Sequence, residues 1–152
     1  MNKIEVLKRS DLFRELDDEQ LSLVAEIGTD QVFDAGTIIY KQGSTAEQIH
    51  VIEEGLVAII LEVGPLAQRQ VQAAANFESF GWSAMIPPYT RTATVKALEQ
   101  TKVIAFNGRE LTAFCTARCG EVGFNIMQAV ARVISERLRQ AYIQLLGVTD
   151  GH

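Results

Sequence analysis

The run Phe80-Gly81-Trp82-Ser83-Ala84-Met85-Ile86-Pro87-Pro88-Tyr89-Thr90-Arg91-Thr92-Ala93-Thr94-Val95 decides how this chain is read. It sets a glycine and small residues ten positions ahead of an arginine, between two hydrophobic, strand-like segments. A segment of that make-up can wrap a phosphate. The N–H groups of a tight turn surround the anion, and a guanidinium closes over it with parallel donors. Glycine and serine let the backbone come close, because a large side chain on the concave side would block the ligand. The same spacing also suits a surface loop whose arginine faces solvent. Pro87-Pro88 keeps the run from continuing as regular helix.

On either side of this run the apolar residues keep a strand period. Short β-branched stretches at 31–33, 37–40, 49–53, 56–63, 68–75, 93–97 and 102–106 are separated by glycine, proline or polar turns. Strands spaced in this way read as a sandwich or barrel. Gly36, Gly43 and Gly55 fall between them, as turn residues with positive φ would. Glu54-Gly55 predicts one hairpin turn, and Gly64-Pro65 opens another. Helices flank the strands. Asp17 with Gln20 forms a capping box for a helix over 18–27 that Gly28 stops, and residues 4–13 give a weaker helical lead-in. Asn107 to Glu110 forms a second capping box for a helix over 108–117. The longest helical pattern is 121–146, where Ile134, Leu138, Ala141 and Leu145 step by four, three and four in a coiled-coil-like seam. Val122, Ile126, Val130 and Val133 extend its apolar surface upstream. This stripe either packs on its own domain or pairs with a second copy in a dimer.

Composition narrows the function classes. The 152 residues make one domain, 47% hydrophobic and 22% charged, as expected of a soluble globular protein. A net charge of −5, from 14 basic against 19 acidic residues, argues against a broad nucleic-acid-binding face. No apolar run approaches the length of a membrane span, and the start Met1-Asn2-Lys3-Ile4-Glu5-Val6 leads into no secretory segment, so a cytoplasmic protein is expected. Cys115 and Cys119 lie four apart in a helical segment and read as buried free thiols. His50 and His152 are the only histidines, which leaves no multi-histidine metal centre. No Ser-His-Asp arrangement or paired-carboxylate site stands out, and the chain is not expected to be an enzyme.

The run Phe80 to Val95, with Gly36, Gln42-Gly43-Ser44-Thr45-Ala46 and Ile49 through Gly55 before it, resembles the cyclic-nucleotide-binding domain of the catabolite-activator and protein-kinase-regulatory type. The resemblance covers nearly the whole chain. It implies an eight-stranded jelly-roll β-barrel, mainly β with flanking helices and a long C-terminal helix, with a ligand held inside near that helix. By carry-over, Arg91 clamps a cyclic phosphate, and Ser83 and Ala84 offer backbone N–H groups. Thr92 adds its hydroxyl or N–H, and Gly81 permits close approach of the sugar. Ala141 and Tyr142 fall where relatives contact the base.

Two residues depart from the family pattern. Trp82 stands where relatives have a glutamate that accepts the ribose 2′-hydroxyl, and an indole donates one N–H and accepts nothing. Losing such a partner costs about 1–3 kcal/mol, and the indole's volume is also enough to fill the pocket. Thr90 stands where the family has proline. The expected ligand is therefore a cyclic nucleotide (cAMP or cGMP) or another phosphorylated metabolite. The expected module is a cytoplasmic homodimer joined through 121–146, signalling to a further protein and binding neither nucleic acid nor membrane. With an end at His152 soon after the long helix, no appended helix-turn-helix is expected. The alternative is a non-binding domain kept as a dimerising interaction module, in which Trp82 fills the old cavity and Arg91 braces the turn against a carboxylate such as Glu78.

Overall fold

The computed structural model describes residues 1–117 and 120–147. Helices α1 (Lys3–Arg9) and α2 (Asp18–Glu26) precede strands β1 (Thr29–Phe33), β2 (Ile38–Tyr40), β3 (Gln48–Glu54), β4 (Leu56–Gly64), β5 (Ala67–Ala75) and β6 (Ser79–Phe80). A 3₁₀ turn, Trp82–Met85, leads to β7 (Thr94–Ala97), β8 (Thr101–Asn107), α3 (Gly108–Ala117) and α4 (Glu121–Leu145). The eight strands form a jelly roll of two antiparallel four-stranded sheets, ordered β1-β8-β3-β6 and β2-β7-β4-β5.

Side chains that alternate in direction along β3 and β8 set the layers. Ile49, Val51, Ile104 and Phe106 face the helices, where they join Leu7, Phe13, Leu21, Leu111, Ile126 and Val130 in one core. Ile52 and Val103 point the other way and meet Val57, Ala74, Phe80 and Val95 between the sheets. A strand covered on both faces reads as a near-continuous apolar run, which is why 49–53 was legible as one. The short β6 was not among the seven runs read from sequence. Two residues are too few to show a period, and Ser79–Phe80 is held as a strand by pairing with Val51 and His50.

Local signals place the helices. Asp17 accepts from the Gln20 N–H at 2.8 Å while Gln20 returns a bond to the Asp17 N–H at 3.0 Å, the reciprocal box expected for α2. Asn107 Oδ1 accepts from Glu110 N at 3.0 Å and starts α3. Gly36, Gly43 and Gly55 all have positive φ. Gly28 does not act as a left-handed stop for α2. A Cβ there would lie 2.7 Å from Ile104 Cγ2 and 3.0 Å from Phe106 Cε1, so the glycine allows α2 to run close over β8.

Cys115 is buried; Cys119 and His152 lie outside the described residues. On α4, Ile126, Ala129, Val130, Val133 and Arg137 are buried against the domain. Leu138 and Leu145 are exposed. The upstream apolar surface thus serves the chain's own core; of the downstream seam, Ile134 packs partly against that core, while Leu138 and Leu145 do not. Among the described residues no helix is long and apolar enough to cross a membrane.

Candidate functional site

Gly81 turns the chain out of β6 with φ 91°, a conformation open to glycine at little cost. A Cβ there would sit 3.0 Å from both Arg91 Nη1 and the Gln48 carbonyl, so the missing side chain makes room for the guanidinium as well as for the turn. Beyond it Trp82–Met85 forms the 3₁₀ turn, in which Ala84 is buried and its N–H donates to the Gly81 carbonyl at 3.2 Å. The start of α3 packs so closely on this turn that a Cβ at Gly108 would overlap the Ala84 carbonyl.

Arg91 lies inward, 4% exposed. Its backbone is fastened to the Gln42-Gly43-Ser44 turn: Gly43 N donates to Arg91 O and Arg91 N to Ser44 O, both at 2.8 Å. Nη1 donates to Gly81 O at 3.0 Å and Nη2 to Gln48 O at 2.6 Å, while the guanidinium stacks 3.7 Å from the Tyr40 ring centroid. Nε is buried with no hydrogen-bond partner among the described residues. Burial lowers the Arg91 pKa, an effect that Tyr40 and Glu47 oppose. Glu78 does not brace Arg91. Its Oε2 lies 3.7 Å from Arg137 Nη2 and its Oε1 accepts from Ala75 N at 2.8 Å.

Behind Arg91 lies a stack of rings. His50 is 4.7 Å from Phe80, with the two planes 9° apart, and Tyr40 flanks both. Burial, with the nearby Arg91 charge adding to it, holds the His50 imidazole down at about 3, so it is neutral at ordinary pH. Burial pushes the Tyr40 hydroxyl up to about 12, against the attraction of Arg91 and Arg137.

A cavity of about 800 Å³ opens over this floor, between the β4–β5 sheet face, the 80–93 segment and α4. Gly81, Trp82, Ser83, Arg91, Thr92, Ala141 and Tyr142 all line it, which brings together residues spread over 62 positions of the chain; Ala84 does not. Such a volume is ample for a small ligand. The indole of Trp82 does not fill it, because Nε1 donates sideways to Ser79 Oγ at 3.1 Å. Two lining residues that sequence reasoning missed are Tyr40 and Arg137. For Arg137 a signal did exist, since it occupies the next step of the Ile126, Val130, Val133 stripe, where a charge is out of place.

The family model for the cyclic nucleotide-binding domain matches residues 30–118. A protein of Rhodopseudomonas palustris named as a potassium channel is 26% identical over 145 residues, covering 95% of this chain and 34% of its own length. Human cGMP-dependent protein kinase 2 is 25% identical over 135 residues, covering 89% of this chain and 16% of its own length. The chain therefore spans about a third or less of these curated relatives. Among solved structures, a protein of Geobacter metallireducens named as a cyclic nucleotide-binding protein superposes with a TM-score of 0.77 at 28% identity, over 91% of this chain and 99% of that one. Together with the jelly roll, these matches place the chain in the cyclic nucleotide-binding domain family.

Proposed function

We propose that this protein is a regulatory module that binds a phosphorylated small molecule, with a cyclic nucleotide as the first candidate, and passes the event on through α4. The observation that carries the reading is the Arg91 guanidinium, inward-facing, without a carboxylate ion-pair partner among the described residues, on the floor of an open cavity. Around it Ser83 and Thr92 supply hydroxyl and backbone donors for the phosphate. Tyr142 and Ala141 supply surface from α4 for the rest of the ligand. A ligand bridging the 80–93 segment and α4 favours one placement of that helix over others, and its binding energy becomes a signal in proportion to that preference. The module works as a cytoplasmic homodimer without catalytic activity, and the names of its cGMP- and cyclic-nucleotide-binding relatives point to the same ligand class.

Titration calorimetry with cyclic AMP and cyclic GMP tests this. Saturable heat is expected from the wild-type chain, with Arg91→Ala weakening binding by about tenfold to a hundredfold, the value of a charge-assisted hydrogen bond. Heat that survives Arg91→Ala unchanged would refute the assignment of the clamp. Absence of heat with every nucleotide and phosphorylated metabolite tried would leave the alternative, a non-binding dimerising module.

A further inference from the structure

The cavity over Arg91 holds a second buried cation. Arg137, on α4, is 7% exposed and lines the same space. Its Nη2 donates to the Ser79 carbonyl at 3.2 Å, and its Nη1, like Arg91 Nε, is buried with no hydrogen-bond partner among the described residues. The two guanidiniums grip carbonyls only two residues apart, those of Ser79 and Gly81. Arg69, on β5, adds a third positive charge to the lining.

Among the described residues, none that lines this cavity is an aspartate or a glutamate, although acidic residues outnumber basic ones 19 to 14 in the chain. Glu78 reaches Arg137 from outside the cavity. It is 46% exposed and 3.7 Å away; Asp11, whose Oδ2 accepts from the Ser79 N–H, also acts on Arg137 from that far side, and neither gives Nη1 a hydrogen-bond partner among the described residues. Trp82 bears on the same balance. The Arg137 guanidinium lies 5.2 Å from its ring centroid, so an indole face meets the cation where the family pattern would set a carboxylate. A carboxylate there would pair with Arg137 and repel a second anionic group; the indole does neither.

Building on the reading of this cavity as an anion site, we propose that its ligand carries two anionic groups on an apolar body. One group sits at Arg91 and the other at Arg137, which makes Arg137 the residue that selects a dianion over a singly charged cyclic phosphodiester. The rings of Trp82 and Tyr142 and the side chains of Ile59 and Leu138 bound the space for the body.

Calorimetry on the full chain with adenosine 3′,5′-bisphosphate and cyclic AMP decides this, because the two share base and sugar and differ in charge. The bisphosphate is expected to bind about tenfold or more tighter, as one further charge-assisted contact gives. Arg137→Gln should erase that advantage, so that on the variant the bisphosphate binds no tighter than cyclic AMP does. Arg137→Lys, which keeps the charge, should recover part of it. Should the glutamine variant melt too early to titrate, the wild-type chain still decides the matter. Bisphosphate affinity must then fall more steeply with salt than cyclic AMP affinity does. Cyclic AMP binding as tightly as the bisphosphate, or parallel salt slopes, overturns the two-anion inference. In that case an Arg91-dependent heat for cyclic AMP leaves the anion site itself standing. Heat with neither probe overturns both.

Discussion

His50, 2% exposed, sits against Phe80 and Tyr40, and its Nδ1 has no hydrogen-bond partner among the described residues. Burial keeps the imidazole neutral down to about pH 3, whereas in the unfolded chain it takes a proton below about 6.5. Since the unfolded state then binds more protons, stability is fully present above 6.5 and is lost as pH falls toward 3. The slope reaches about 1.4 kcal/mol per pH unit. Urea unfolding from pH 7 down to about pH 4 should therefore show a steeper acid loss in the wild type than in His50→Gln. The raised pKa of buried Asp11 works in the opposite direction but is common to both proteins, so it cancels in the comparison. Equal acid slopes would mean that the imidazole is not held neutral in the fold. At this scale Arg91 was legible as a candidate because glycine, small residues and arginine stand in linear order, and the structure turns that side chain inward to line the cavity. Arg137 escaped because it arrives from a different element, and its role exists only after α4 docks beside Ser79.

At the level of elements, helix and strand periods were legible wherever a segment was long enough to repeat them. Helix α3 was read with the bounds it has, and β4 and β5 were read to within one residue at an end. What was misread is instructive. Gly28 looked like a stop signal because it follows an apolar helical stripe, yet it marks the closest approach of α2's end to Ile104 and Phe106 on β8. The two roles make opposite predictions. A left-handed stop tolerates asparagine better than alanine. A packing glycine suffers from either, and more from the larger side chain. Gly28→Ala should destabilise by about 1–3 kcal/mol, the usual cost of overpacking, and Gly28→Asn by more, as read from denaturant midpoints. Asparagine proving the milder change would return Gly28 to the role of a cap.

Across the whole molecule, α4 carries two apolar faces, roughly 80° apart at 3.6 residues per turn. One, through Ile126, Val130 and Val133, belongs to the core. The other reaches further upstream than the sequence pattern alone suggested. Met127 and Ala131 are exposed and continue the four-and-three spacing into Ile134, Leu138, Ala141 and Leu145. Met127 is 41%, Leu138 50% and Leu145 83% exposed, a run of aliphatic surface for which a second copy of α4 is a fitting partner. Because Leu138 also lines the ligand cavity while Met127 does not, the two positions separate assembly from binding. Sedimentation equilibrium at micromolar concentration should find a dimer. Met127→Glu and Leu138→Glu should each weaken it by about tenfold or more, since each places a like charge beside its copy in an apolar seam. Gln128→Glu, also exposed on α4 but off the seam, should leave assembly unchanged. If Met127→Glu lowers dimer stability without altering ligand heat, the upstream part of the seam serves assembly alone, while Ile134, Leu138, Ala141 and Leu145 also line the cavity. A wild-type monomer, or a dimer indifferent to both seam charges, would assign the exposed face of α4 to some surface other than its own copy.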